Sequence, residues 1–123
     1  MSFIKKQTIE ITTDASGDGV GYSEDINGRI ICIIYEKDDF ADTVDFAITA
    51  ETTGQNIWTE ENVTASKTVA PRQPTHAADG SESLFAASGE PVEDFICLPD
   101  ERVKVVVANG GNAKNGAFTV VYE

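Results

Sequence analysis

The sequence is poor in the residues that most often perform chemistry or bind metals. Its 123 residues include one histidine, one tryptophan, one methionine and two cysteines. The cysteines are far apart and form no Cys-x-x-Cys motif, so neither a zinc site nor thioredoxin-type redox chemistry is indicated. No apolar run approaches the roughly 20 residues that a membrane span needs. The first residues lack the apolar stretch of a signal peptide, so we expect folding in a cytoplasm.

Positive charge is also scarce. Nine Lys+Arg residues face 21 Asp+Glu residues, which gives a formal net charge of -12. A field of this sign repels phosphate groups, so direct binding to nucleic acid or to anionic membranes is disfavoured. Two interpretations of the acidity remain open. It keeps the protein soluble and free of self-association, or it docks the protein onto a basic protein surface.

What the sequence does contain is apolar–polar alternation with a period of two, which is typical of β-strands. The alternation is clear over residues 8–12, 43–50 and 103–107, and a further strand is indicated over 118–122. Residues 29–35 are apolar on both faces and predict a central, covered strand. Cys32 and Cys97 lie in such apolar runs, so we expect two buried thiols, with a disulfide as the alternative.

Turn residues separate the predicted strands. Asn27-Gly28 predicts a tight hairpin between residues 20–24 and 29–35. Pro99-Asp100-Glu101 predicts a second hairpin, and residues 109–116 form a Gly/Asn-rich loop before the last strand. No window carries a helical pattern. We therefore predict one all-β domain over residues 1–123, an antiparallel β-sandwich that is jelly-roll-like, with about seven or eight short strands.

Residues 51–83 break this pattern, because they are polar and contain only one compact apolar pair, Ile57-Trp58. We predict a long polar loop here, with a short strand over residues 57–60. A connection of this length inside a compact domain is either functional, ordered by a partner, or a solvated crossover between sheets.

Candidate catalytic and metal-binding constellations are weak. Asp14 to Gly19 resembles the start of a calcium loop, but Asp25 stands where a longer Glu is normal, and an ordinary turn explains the same residues. His76 is the one histidine, and it has no neighbouring metal ligands or nucleophile-elbow serine. Adjacent carboxylates arise by chance in so acidic a chain. We therefore predict no enzyme activity, no cofactor and no metal.

Three aromatic residues are candidates for partner contact: Trp58, Phe85 and Tyr22. A lone Trp in a polar neighbourhood is either a core residue or an interface anchor, and the core is the stronger interpretation.

A family resemblance rests on the second half of the chain. It is found in Pro71-Arg72, His76, Asp79-Gly80, the strand-like run 98–107 and the Gly/Asn-rich turn 110–116. With these motifs the chain resembles the small structural proteins of tailed-bacteriophage virions, and in particular the capsid decoration, or cement, proteins.

The resemblance implies a jelly-roll-like protein on the capsid exterior of the virion. Such a protein is made in the cytoplasm of a host bacterium, binds the major capsid protein, stabilises the head and forms a homo-oligomer, a dimer or trimer. Trp58, Arg72, His76 and Asp79 would then be partner-contact residues. Two alternatives stay open: another virion component (a head–tail connector, or a tail or fibre-associated protein), or a carbohydrate-binding β-sandwich.

Overall fold

The computed structural model describes residues 3–123, and this range is all-β, without a helix. Two antiparallel sheets form, which confirms the predicted β-sandwich. The larger sheet has the strand order β1-β10-β3-β8-β7, with β6 also paired to β3, and the smaller sheet has the order β2-β9-β4-β5. The strands are β1 (Lys5–Thr12), β2 (Gly19–Tyr22), β3 (Ile26–Glu36), β4 (Asp45–Ala50), β5 (Asn56–Glu60), β6 (Lys67–Val69), β7 (Arg72–Pro74), β8 (Glu93–Glu101), β9 (Val103–Ala108) and β10 (Asn115–Tyr122).

The strands pair in a nested order, as in a long antiparallel ribbon folded over into two sheets. β4 and β5 form a hairpin, and outward from it β3 pairs with β8, β2 with β9, and β1 with β10. Successive pairs alternate between the two sheets, and this alternation is the jelly-roll arrangement that the sequence predicts. The strand count exceeds the prediction because β6 and β7, of three residues each, are inserted into the ribbon between β5 and β8.

Alternating side chains from both sheets fill the core, and an aromatic cluster lies at its centre. The Phe46 ring centroid is 5.0 Å from that of Tyr35, 4.8 Å from Trp58 and 5.0 Å from Phe118. Such tilted and edge-to-face contacts add to the free energy of apolar burial. The Tyr35 side chain is fully buried, and its hydroxyl has no hydrogen-bond partner among the described residues. Burial raises the pKa of Tyr35 to about 12.

A buried carboxylate fastens the two sheets at one end of the sandwich. Glu101, the last residue of β8, is 4% exposed. Its Oε1 accepts hydrogen bonds from the main-chain N–H groups of Thr52 (2.9 Å) and Thr53 (3.1 Å), in the turn between β4 and β5. Next to it, the guanidinium of Arg102 makes a bidentate ion pair with the Glu51 carboxylate, with N···O distances of 2.5 and 2.6 Å. These hydrogen bonds lower the pKa of Glu51. β8 is thereby joined to the hairpin of the opposite sheet.

The predicted hairpin at Asn27-Gly28 is wrong, because these residues lie inside β3. The preceding strand, β2, belongs to the other sheet. The register between β3 and β8 shifts after Ile26. Gly28, which has no side chain, allows the main chain at Glu123 to approach closely. A Cβ at Gly28 would overlap the carbonyl oxygen of Glu123, which accepts a hydrogen bond from the N–H of Arg29.

The predicted hairpin at Pro99-Asp100-Glu101 is wrong for the same reason. These residues continue β8, and β9 starts two residues later in the opposite sheet. Asp100 adopts a left-handed φ of 57°, so the segment turns a corner between sheets and does not pair its flanking strands. The predicted Gly/Asn-rich loop is confirmed between β9 and β10, and it too connects one sheet to the other.

The polar stretch 51–83 is not a single loop, because it contains three short strands, β5, β6 and β7. The strand predicted over residues 57–60 is confirmed as β5. β6 pairs with β3, and β7 pairs with β8, so both extend the larger sheet. The irregular part of this region begins later, after Pro74.

The prediction of two buried thiols is wrong. Both cysteines are free, Cys32 half-buried and Cys97 exposed. Their neighbours Ile33, Ile96 and Leu98 face the core, whereas the two thiols lie on the outer face of the larger sheet. No further layer covers that face within residues 3–123, so an apolar run there does not mean burial on both sides. The prediction of a central strand is confirmed, since β3 lies between β10 and β8.

Candidate functional site

The insertion between β7 and β8 forms an exposed appendage, which we call the arm (residues 75–92). Its main chain is held by its own hydrogen bonds, from Thr75 N to Val92 O at 2.7 Å, from Ser83 N to Thr75 O at 2.9 Å and from Val92 N to Ser83 O at 2.8 Å. A β-bridge joins His76 to Glu82. The arm therefore has a defined conformation, although it supplies no side chain to the hydrophobic core.

The arm presents apolar side chains to solvent. Phe85 is 77% exposed and Leu84 is 40% exposed, next to a turn in which Gly89 N donates to Ala86 O. Burying a Phe or Leu side chain yields about 1.5–3 kcal/mol, so a fold gains nothing by leaving this adjacent pair in water. Contiguous exposed apolar surface rimmed by polar residues can mark an interaction site, and the Leu84-Phe85 pair is the candidate for one on the arm.

The charged residues within the arm are all acidic. Asp79, Glu82 and Glu90 lie within it, and no Lys or Arg occurs between Arg72 and Arg102. An apolar pair among carboxylates matches a partner surface that has an apolar depression bordered by basic residues.

The base of the arm is fixed to the outer face of the larger sheet. The Arg72 guanidinium lies 4.2 Å from the ring centroid of Phe95, and that of Arg29 lies 4.5 Å from it. β8 runs between β3 and β7, so the two arginines reach the ring from opposite sides along the sheet. Arg72 also donates to the carbonyl oxygens of Ile31 (3.0 Å) and Pro71 (2.8 Å). These cation–π contacts and hydrogen bonds hold the start of the arm in place.

Four partner-contact residues are predicted from the sequence. Two of them, His76 and Asp79, lie on the arm, and Arg72 lies at its base. The Asp79 carboxylate accepts hydrogen bonds from the N–H (3.0 Å) and hydroxyl (2.6 Å) of Ser81, and these bonds lower its pKa. His76 is exposed. Asp79 thus stabilises a local turn through Ser81, and the hydrogen bonds of a Ser-His-Asp catalytic triad are not found among these side chains.

Trp58, the fourth predicted contact residue, lies in β5 of the smaller sheet. It is 8% exposed, packs edge-on against Phe46, and donates from Nε1 to Glu60 Oε1 at 3.2 Å. It occupies the core position that was the stronger interpretation of its sequence. Of the other candidate aromatics, Tyr22 is 42% exposed on the smaller sheet, with the Arg102 guanidinium 4.2 Å from its ring centroid.

The calcium-like motif forms a turn between β1 and β2. The Asp14 Oδ1 accepts hydrogen bonds from the N–H groups of Ser16 (2.8 Å) and Asp18 (3.1 Å), so the carboxylate is occupied by its own loop. Residues 3–123 contain no group of three or more His, Cys, Asp or Glu side chains placed to hold a metal ion.

The sequence interpretation named Phe85 but missed Leu84 and the arginine–phenylalanine base. The signal for Leu84 was available, since Leu84-Phe85 interrupts an otherwise small and polar stretch without strand alternation. The contacts of Arg29 and Arg72 with the Phe95 ring could not be predicted from the sequence. The three residues are far apart in the chain and meet only through strand pairing.

Comparisons with known proteins give no family for this chain: no protein-family model, curated protein or solved structure matches it. Within the described part of the chain, no helix is long and apolar enough to cross a membrane.

Proposed function

We propose that this chain is a non-catalytic structural protein of a tailed-bacteriophage virion, a decoration protein that binds the outside of the capsid through its arm. The observation that carries the proposal is the exposure of Leu84 and Phe85 on a segment that has its own hydrogen bonds and contributes nothing to the core. Binding residues concentrate on exposed segments that a folded scaffold holds in position, and the arm is such a segment.

Three further features support this proposal. The motifs at residues 71–80 and 98–116 resemble those of capsid decoration proteins. The jelly-roll-like sandwich suits a structural role. The net charge of -12 suits solubility before assembly and attraction to basic residues around a docking site. A carbohydrate-binding module would need a row of exposed aromatic rings, and Trp58, the strongest candidate for such a row, is buried.

The test is co-sedimentation of the chain with capsid shells that lack it, compared with purified tails. We expect binding to shells, and we expect Phe85→Ser to weaken it about tenfold or more, as truncation of a central aromatic contact does. Val20→Ser is the matched control, because Val20 is 54% exposed on the smaller sheet, away from the arm. It should bind like the unmodified protein.

Equal binding by the Phe85 and Val20 variants would contradict the role of the arm. Binding to tails and not to shells would replace the decoration role with that of a tail component. Because the charged residues of the arm are all carboxylates, we also expect added salt to weaken capsid binding.

A further inference from the structure

β1 forms an open edge of the larger sheet. Its one strand partner among the described residues is β10, with which it pairs over its whole length, from Lys5 opposite Tyr122 to Thr12 opposite Asn115. An eight-residue edge strand presents a row of main-chain donors and acceptors that another strand can use.

The hydrogen-bond pattern fixes which main-chain groups are available. Thr13 N donates to Lys114 O at 2.8 Å, which extends the β1–β10 register by one position. Residues of an antiparallel pair alternate between those bonded to the neighbour and those directed away from it. The odd-numbered residues of β1 therefore bond to β10, and the N–H and C=O groups of Lys6, Thr8, Glu10 and Thr12 point outward. No other group in residues 3–123 bonds to them.

The same four residues share one face of the strand. Ile9 and Ile11 are buried against the smaller sheet, so the side chains of Lys6, Thr8 and Glu10 lie on the opposite, exposed face. Neither Lys6 nor Glu10 belongs to an ion pair found within the described range. The edge thus carries a positive charge two residues before Thr8 and a negative charge two residues after it.

We propose that a second copy of this chain pairs with β1, antiparallel and with the twofold axis at Thr8. This register places Lys6 of each copy opposite Glu10 of the other, which forms two cross-strand ion pairs. All the outward main-chain groups then find partners, and Ile4, which is 69% exposed, lies beside Thr12 of the second copy. The two larger sheets become one continuous sheet, and the interface is symmetric, as in most homodimers.

Neighbouring registers lack this complementarity. A twofold axis at Gln7 places Lys6 opposite Thr8 and Glu10 opposite Ile4, and an axis at Ile9 places Lys6 opposite Thr12. Lysines often protect an edge strand from pairing, but here the lysine meets a carboxylate only in the register centred on Thr8. A foreign strand is the other occupant of such an edge, and a monomeric free protein would identify that case.

The first test measures the dimer dissociation constant of the isolated chain by sedimentation equilibrium. Lys6→Glu and Glu10→Lys, made singly, each create two like-charge pairs and should weaken the dimer about tenfold. The double variant restores opposite charges and should return to within about threefold of the original value. Glu93→Lys is the control for Glu10→Lys, because it makes the same change in net charge at an exposed position of β8, three strands away from β1.

A monomeric chain, or single reversals that behave like the control, would overturn the proposal. Because capsids are absent from this assay, its failure would leave the proposed function untouched.

The second test fixes the register by cross-linking, in a chain in which Cys32 and Cys97 are replaced by Ser. Residues directly opposite each other in a hydrogen-bonded pair have Cα atoms about 5.5 Å apart, within the range of a disulfide. Thr8→Cys should therefore give a covalent dimer on mild oxidation. Thr12→Cys, on the same face of the same strand, faces Ile4 of the other copy and should remain unlinked. Equal linking of both variants would refute the register centred on Thr8.

Discussion

Removing the Tyr35 hydroxyl should make the protein more stable. This oxygen is fully buried beside Phe46 and Phe118 and has no hydrogen-bond partner in residues 3–123. Leaving a buried polar group unsatisfied costs about 1–3 kcal/mol. Tyr35→Phe relieves this cost and keeps the ring, while the lost contacts of the oxygen offset a few tenths of a kcal/mol. We expect a net gain of about 1 kcal/mol.

Urea or thermal unfolding measures this gain, which corresponds to roughly 3–6 °C in the unfolding temperature of a domain of this size. Tyr122→Phe is the matched control. The Tyr122 hydroxyl accepts a hydrogen bond from Gln7 Nε2 at 3.1 Å, so its removal should destabilise the fold by about 1 kcal/mol or less. If Tyr35→Phe is as destabilising as Tyr122→Phe, then the Tyr35 hydroxyl contributes favourably and the reasoning is refuted.

The dependence of folding stability on pH gives a second test of the buried Tyr35 hydroxyl. Burial raises the pKa of Tyr35 to about 12, whereas in the unfolded chain it is near 10. Below pH 10 the phenol is neutral in both the folded and the unfolded chain, so this group makes no pH-dependent difference to stability. As the pH rises from 10 to 12 the phenol ionises in the unfolded chain but not in the folded one, and the stability falls. The largest slope from one proton is about 1.4 kcal/mol per pH unit. The difference in stability between the original protein and Tyr35→Phe should widen across this range, since the variant lacks the titrating group.

Three further outcomes follow from buried or exposed groups. Glu101→Ala should cost about 2–3 kcal/mol in urea unfolding, because it leaves two turn amides without their charged acceptor, and Glu101→Gln should cost less. Gly116→Ala should cost about 1–3 kcal/mol, because the new methyl group would overlap the buried Phe40 ring, and adding Phe40→Leu should recover part of the loss. A thiol reagent should modify Cys97 faster than Cys32 in the folded protein, and the two rates should converge in urea.

The sequence predicts the strands better than it predicts their connections. Alternation at residues 8–12, 43–50 and 103–107 reports which side chains face a core, and each of these runs corresponds to a strand. Turn residues report only a change of chain direction. At Pro99-Asp100-Glu101 the chain changes sheets, and a turn of this kind has the same composition as a hairpin turn.

Only part of the candidate site could be predicted from the sequence. Phe85 could be named from the sequence as a candidate contact aromatic, because an aromatic residue stands out in a polar stretch, and the structure shows that it is exposed. The anchoring of Arg72 on Phe95 could not, because it depends on the pairing of β7 with β8. Burial at Trp58 and exposure at Cys97 likewise depend on which face of a strand is covered, and a local pattern does not contain this information.

The nested pairing of the ribbon also determines the order in which the chain can fold. The turn between β4 and β5 closes a short loop, whereas Thr8 and Thr119, which meet in the β1–β10 pair, are 111 residues apart. The entropy lost on closing a loop increases with its length, and proteins dominated by distant contacts fold slowly. We expect the hairpin to form early and each surrounding pair to close after the one inside it. In the monomer, β1 would then be the last strand to pair and the first to detach. At concentrations too low for dimers, the β1 amide hydrogens bonded to β10 should therefore exchange with solvent before those of β4.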